Sequence, residues 1–411
     1  MGYKLTKPES YCRFVAFCTS VSYDMYDMPM KNQNGRPLNF IISSQYFLYF
    51  GVLGLFLPYF NLYCYHLGFS GFQIGVLSAL RSVVMVLFSL IWGGLADRFQ
   101  ARKPIYVGCS FISAAIWLCY LLTADFYLML VITIAYVIFY GPIISFLEAF
   151  TMDVLGKEKQ SYGKVRVWGT LSFILIVTVF GKIIHHYSHS IILVPIFAGS
   201  LLQALFALKI PNVTLPKKAS FTAGAKLLLK KRALLFLFCA FLMLVSHGTY
   251  YGFFSIHLED LGYGSTFIGF AWALASASEI LIMVNSDRIF RRFPLEKVLI
   301  FSFMVAALRW FILCWVRSPV LILLSQLLHA ITYGTFHIAS ILYIDRLTPD
   351  NAKTTGQAVN NAMTYGLGMM VGFFLSGYLY ERVDSFTLFA ISGLVALAGG
   401  ILFSPCRHSE E

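Results

Sequence analysis

From residue 41 onward the chain repeats one pattern, a long apolar run followed by a short polar break. A helix needs roughly 20 mostly apolar residues to cross ~30 Å of hydrocarbon. Twelve runs meet that length, at about 41–63, 72–95, 104–123, 126–150, 165–184, 190–208, 233–256, 265–285, 298–316, 319–343, 356–379 and 385–404. The first forty residues are polar and lack an apolar stretch ending in a small-residue cleavage site, so 1–40 is expected as a cytosolic tail, with Met28 and Met30 as alternative starts. The longest polar break within the bundle, 209–232, holds seven Lys and Arg and no acid. It divides the chain into a six-helix bundle over 41–208 and a second over 233–404, followed by a short tail at 405–411. The predicted class is an all-α integral membrane protein.

Composition agrees. Of the 411 residues, 58% are hydrophobic and 12% charged, where a soluble domain carries about 25% charged residues. Too little polar surface exists to face water, and the lipid bilayer is the expected surroundings. The net charge of +12 raises the question of nucleic acid, but the cations lie in the breaks and not on an aromatic-interleaved surface. With the N-terminus inside, 26 of the 31 Lys and Arg fall on the inner side and 3 on the outer. That bias predicts both termini in the cytosol and insertion in the plasma membrane, the inner membrane for a bacterium. The sequon at Asn212 and Thr214 then faces the cytosol and is inert. The eight cysteines form no CxxC pair, so neither a zinc site nor a disulfide framework is indicated. No HExxH or GxSxG motif is present, and neither an enzyme nor a bound metal or cofactor is expected.

Four charged residues fall inside apolar runs: Arg81, Glu148, Glu279 and Arg309. A charge at bilayer depth costs at least a few kcal/mol, so it faces a cavity or a partner. Polar residues also line up at helical spacing: His329, Tyr333 and His337 on span 10, His247 and Tyr251 on span 7, and Gln357, Asn361 and Tyr365 on span 11. Such stripes predict a polar pathway inside a helical bundle, as a solute carrier needs. Glu279 with Arg309 in reach is a group whose charge switches when the arginine moves away; the alternative is a static pair holding spans 8 and 9 together. His329 and His337 titrate or donate hydrogen bonds. Arg81 either attracts a substrate carboxylate or pairs with an acid such as Glu148.

Two six-span halves joined by a basic loop resemble the major facilitator superfamily. Its fold sets two pseudo-symmetric six-helix bundles around a central binding site, with alternating access. Between spans 2 and 3, Gly93, Gly94, Asp97, Arg98, Arg102 and Lys103 resemble the superfamily's loop signature. The resemblance implies that Asp97 sits near the N-terminal end of span 11, where a helix dipole favours an anion, and that Asp97, Arg98 and Arg102 hold the cytosolic side shut. Gln100 and Ala101 depart from the usual glycine and basic residue, which softens that gate. Asn285, Asp287, Arg288, Arg291 and Arg292 form a decayed copy in the second half.

Glu148 ending span 4, followed by Gly163, Arg166, Trp168 and Gly169 opening span 5, resembles the lactose-permease group of oligosaccharide:proton symporters. In that group the acid–arginine pair grips substrate, which makes Glu148, Arg166 and Trp168 candidate substrate residues. The other reading is a gating salt bridge. His247, Tyr250 and Tyr251, then Glu279, then Arg309 and Trp310, then His329 and His337 resemble the phenylpropionate-permease-like branch. They add His247 and Tyr251 as substrate candidates and Glu279, Arg309, His329 and His337 as proton-coupling candidates; the span-11 stripe adds Asn361 to the substrate set. The lactose-permease group has a glutamate one turn after its span-10 histidine, where this chain has Thr332, so either coupling rests elsewhere or it is absent. The expected function is proton symport of a small organic solute, an aromatic carboxylate or a sugar or nucleoside, by a monomer. The alternatives are an uncoupled facilitator or an exporter of amphipathic compounds, and remotely a membrane-embedded enzyme.

Overall fold

The structure, a computed structural model, describes residues 38–156, 162–211, 230–349 and 352–404. The N-terminal tail, most of the basic linker and the C-terminal tail lie outside the described residues, as does the sequon.

Twelve helices are long and apolar enough to cross a membrane, and no strand occurs among the described residues. They are α1 (Phe40–His66), α2 (Gly71–Phe99), α3 (Arg102–Leu121), α4 (Phe126–Leu155), α5 (Tyr162–His186), α6 (His189–Ala207), α7 (Lys231–Asp260), α8 (Ser265–Arg292), α9 (Leu295–Trp315), α10 (Pro319–Leu347), α11 (Thr355–Tyr380) and α12 (Ser385–Phe403). The apolar runs locate all twelve, and the helices overrun them where polar residues form caps and turns. Ser70 and Gln73 close a capping box at the start of α2, and Asp125 and Asp384 cap α4 and α12. Lys231 and Arg232, expected in the linker, begin α7.

Two departures from regular helix were not legible in the apolar pattern. Residues Ala330–Thr335 of α10 and Ala362–Gly368 of α11 are π-helical. A π turn inserts one residue into a helix and is frequent at functional sites.

The chain crosses back and forth, so both ends of the described chain lie at one end of the bundle, called here the terminal end. At the opposite end the two halves meet closely. A Cβ on Gly75 of α2 would lie 2.7 Å from the Gly377 Cα of α11, and one on Gly269 of α8 would lie 2.5 Å from the Val177 carbonyl of α5. These two contacts are related by the internal symmetry. Leu67, Gly68, Phe69, Ile74 and Gly75 correspond to Leu261, Gly262, Tyr263, Ile268 and Gly269. Gly68 and Gly262 both turn the chain with positive φ, at 84° and 86°. Polar bonds reinforce the closure: Asn61 Nδ2 donates to the Gly252 carbonyl (3.0 Å), and Tyr65 and Tyr380 both donate to Asp260 (3.2 and 3.0 Å).

The terminal end is open. Nothing lies within 4 Å of a Cβ placed on Gly93 or Gly94, so the expected close approach of span 2 to another helix is not made here. Asp97 faces Arg102 at 3.7 Å and Arg102 binds Asp153 at 2.6 Å, all within the first half. Arg98 lies exposed on the last turn of α2, its guanidinium 5.6 Å from the Phe99 ring. The cluster therefore ties α2, α3 and α4 to one another rather than to α11. Among the described residues no ion pair joins this cluster to α11. A charge-swapped counterpart in the second half escaped the sequence reading: Glu296, at the start of α9, accepts from Arg232 and Arg346, both at 3.0 Å.

Candidate functional site

A cavity of about 310 Å³ lies between the halves. The first half supplies Tyr49, Phe50, Phe56, Arg81, Tyr140 and Arg166 to its wall, and the second supplies Tyr251, Trp272, Glu279, His329, Tyr333 and Tyr365. A wider depression of about 690 Å³ at the closed end is lined by residues such as Tyr63, Thr123 and Tyr187 and has no charged side chain in its wall, so the chemistry belongs to the central cavity.

On the first-half wall, aromatic rings surround unpaired donors. Tyr49 stacks on Tyr140 at 5.4 Å, and Tyr136 stacks on Tyr140 at 4.9 Å. The Arg81 guanidinium rests 4.7 Å from the Phe56 ring, and that of Arg166 lies 3.8 Å from Phe50. Arg166 Nη1 and Tyr140 Oη are buried without a hydrogen-bond partner. Among the described residues no carboxylate lies within 4.0 Å of Arg81 or Arg166. Buried donors are almost always satisfied, so an unsatisfied set facing a cavity is suited to a ligand rich in acceptors.

The second-half wall carries a connected chain of polar groups. Arg309 is fully buried against the rings of Tyr250 and Trp310, at 4.3 and 4.8 Å. It donates through Nη2 to Gln326 Oε1 (2.7 Å) and through Nη1 to Thr332 Oγ1 (3.3 Å) and His329 Nδ1 (2.8 Å). A guanidinium only donates, so Nδ1 is the bare nitrogen and Nε2 carries the proton. That Nε2 lies 3.0 Å from Glu279 Oε1. Here the structure corrects the expected Glu279–Arg309 contact, since His329 stands between them. Gln326, which the sequence reading did not single out, completes the Arg309 cradle. Its signal was a lone amide three residues before His329 in an apolar run.

The remaining candidates are placed as follows. His329, Tyr333 and His337 form a stacked column, with ring centroids 5.2 and 6.1 Å apart, and His337 Nδ1 bonds Tyr365 Oη at 2.8 Å. His329 and Tyr333 reach the cavity wall and His337 does not. His247 is fully buried with Nδ1 on the Met243 carbonyl (2.8 Å) and its ring edge-on to Trp310. It backs the wall without lining it. Trp168 is half-buried and also outside the wall. Asn361 is exposed, because α11 enters its π segment at the next residue and presents Tyr365 inward instead. Glu148 is exposed, makes no ion pair with Arg166 within 4.0 Å, and does not reach the wall. Arg166 instead lies within electrostatic reach of both Glu148 and, across the cavity, Glu279.

The MFS_1 like family model matches residues 40–391. The chain is 26% identical over 368 residues to the probable 3-phenylpropionic acid transporter of Escherichia coli, covering 87% of this chain and 94% of that protein. It is 24% identical to the maltose permease of Geobacillus stearothermophilus, covering 89% and 94%. The crystal structure of the nucleoside transporter NupG superposes with a TM-score of 0.80 at 20% identity, covering 91% of this chain and all of that one. Twelve apolar helices, a cavity between two halves and this match over most of the chain agree: the chain belongs to the MFS_1-like family of the major facilitator superfamily, multi-pass membrane transporters of small solutes.

Proposed function

We propose that this chain imports a small organic anion, an aromatic carboxylate, by proton symport with alternating access. The observation that carries the reading is an aromatic-walled cavity with two unpaired donors, Arg166 Nη1 and Tyr140 Oη, and with Arg81 in its wall without an ion-pair partner. A carboxylate accepts from these donors, and a ring packs among Tyr49, Phe50, Phe56 and Trp272. The name of the 3-phenylpropionic acid relative supports the same class.

Glu279 is the coupling residue. An anion bound to the arginines faces the Glu279 carboxyl across a small cavity, and two like charges there oppose one another. A proton on Glu279 removes that opposition, so anion and proton load together. His329 keeps one carboxyl oxygen engaged in either state, and Nδ1 takes no second proton while Arg309 donates to it. His329 thus positions Glu279 and does not carry the proton. After release, Arg166 offsets the ionised Glu279 and permits the empty carrier to return. His337 and His247 support Tyr365 and Tyr251, respectively, from behind the wall. The bundles 41–208 and 233–404 are the rocking units, and Asp97, Arg98 and Arg102 meet α11 when the terminal end closes. The protein works as a monomer in the plasma membrane, with its terminal end in the cytosol.

The test uses purified protein in proteoliposomes with a pH-sensitive dye inside and no imposed gradient. Phenylpropionate-type acids, disaccharides and nucleosides are added outside, with protein-free vesicles correcting for unaided entry of weak acids. Protein-dependent acidification with an aromatic acid, lost in Glu279→Gln, is the expected result. Acidification with a sugar or nucleoside alone replaces the substrate class. Counterflow of labelled acid without any pH change removes symport and leaves a facilitator.

A further inference from the structure

At the closed end, away from the transport cavity, His66, His189 and Glu259 bring one ligand atom each to within 4.8 Å of one another. We propose that these residues form a divalent transition-metal site that clamps the two halves together at this end. The side chains come from different elements: His66 ends α1, His189 opens α6 and Glu259 lies one residue before the end of α7. Two belong to the first half and one to the second, so the set is complete only while this end is closed.

The local geometry fits a metal. The two imidazoles stack with centroids 3.9 Å apart and planes 15° apart. This directs two nitrogens at the same carboxylate: His66 Nε2 is 2.6 Å from Glu259 Oε1, and His189 Nε2 is 3.9 Å from Oε2. Ligands about 2.1 Å from a tetrahedral Zn²⁺ sit about 3.4 Å apart, between those two values, so shifts well within side-chain freedom complete the site. The side chains are partly open, at 40% for His66, 16% for His189 and 28% for Glu259, which leaves a fourth position for water. Two imidazoles and one carboxylate suit Zn²⁺ and its neighbours rather than Mg²⁺ or Ca²⁺. The adjacent Asp260 is engaged by Tyr65 and Tyr380 and is not counted as a ligand. The Ser265 hydroxyl, 3.4 Å from His189 Nε2, gives up that long contact when a metal binds.

A metal that binds only the closed arrangement stabilises it by mass action. Such a site lets external zinc hold the carrier open to the terminal end, whatever solute it moves.

The test is Zn²⁺ titration of the purified full-length protein, free of any histidine tag, by calorimetry and by thermal unfolding. Wild-type protein should bind one Zn²⁺ per chain and unfold at a higher temperature with it, while Mg²⁺ has no effect. His66→Ala and Glu259→Gln, one from each half, should each weaken binding by at least tenfold, since even residues behind the ligands contribute about 10–100-fold. His66→Gln retains an amide to bond Glu259 and serves where the alanine variant does not fold. Tyr380→Phe removes a bond to Asp260 at the same end without altering a side chain beside a ligand and should keep its zinc response. Absence of saturable Zn²⁺ binding overturns the proposal, and so does binding that survives both the His66 and Glu259 substitutions.

Discussion

Arg81 and Arg309 share a side chain and an apolar setting in the sequence, yet the bundle uses them differently. Arg309 is surrounded by acceptors, Gln326, Thr332 and His329, and by two aromatic faces. Arg81 has ring contacts and no carboxylate within 4.0 Å. Arg309 is thus held through both terminal nitrogens, with only its Nε buried and unpaired, whereas Arg81 lines the cavity with no carboxylate partner. Arg81→Ala should therefore raise the apparent KM for an aromatic acid by about tenfold or more, as loss of a charged hydrogen bond of ~1.5–3 kcal/mol implies. Uptake kinetics for an acid and for a transported neutral compound decide this, since an equal loss for both marks Arg81 as structural. The sequence singled out Arg81, Glu148, Glu279 and Arg309 because each interrupts an apolar run, and Arg166 only through its motif. It did not reveal the order Gln326–Arg309–His329–Glu279, which is made across two helix gaps.

At the level of elements, the apolar runs located every helix, and the details they missed are local backbone events. The C-cap of α2 is one. Gln100 takes left-handed φ and ψ of 52° and 35°, a conformation that glycine adopts without penalty and other residues avoid. The structure thus explains why a glycine is usual at this point of the loop signature and what its replacement costs. Gln100→Gly should stabilise the protein by about 1 kcal/mol, read as a higher unfolding temperature in detergent. An unchanged or lower value means the bond from Gln100 Nε2 to the Asp97 carbonyl, 2.8 Å long, outweighs the strain. The π segments of α10 and α11 are a second case. Both begin Ala-x-Thr-Tyr-Gly, and their glycine and threonine weaken a regular helix. On α10 the stacked column of His329, Tyr333 and His337 keeps the expected spacing through the π segment. On α11 only Tyr365 of the expected stripe reaches the cavity, while Gln357 donates to the Ile341 carbonyl at 2.8 Å.

At the scale of the whole molecule, the two ends of the bundle differ in contacts that the chain forms between halves. Gly75 with Gly377 and Gly269 with Gly181 allow the helices to touch at the closed end, and Asp260 joins α1, α7 and α11 through two tyrosine hydroxyls. Removing that hub should favour opening at this end. Asp260→Ala is expected to speed the reaction of a cysteine placed at Ser276, on the cavity wall, with an impermeant thiol reagent added at that face. Two lost hydrogen bonds of ~0.5–1.5 kcal/mol each correspond to about tenfold in the open-to-closed ratio. No change in labelling rate would assign the closure to glycine packing alone.

The sequence by itself determined the membrane class, the twelve helices and the membership of the superfamily, because apolar length and local motifs are properties of consecutive residues. It also supplied the residues from which the site is built. Which of them face one another was decided only by the tertiary structure. The interposition of His329 between Arg309 and Glu279, the separation of Glu148 from Arg166, and the withdrawal of His247 and Asn361 from the wall all depend on how helices distant in the chain rotate and pack. Conformation belongs to the same level. Asp97 and Arg102 are legible as a loop motif, but which helices they join depends on the relative position of two halves, which no run of consecutive residues encodes.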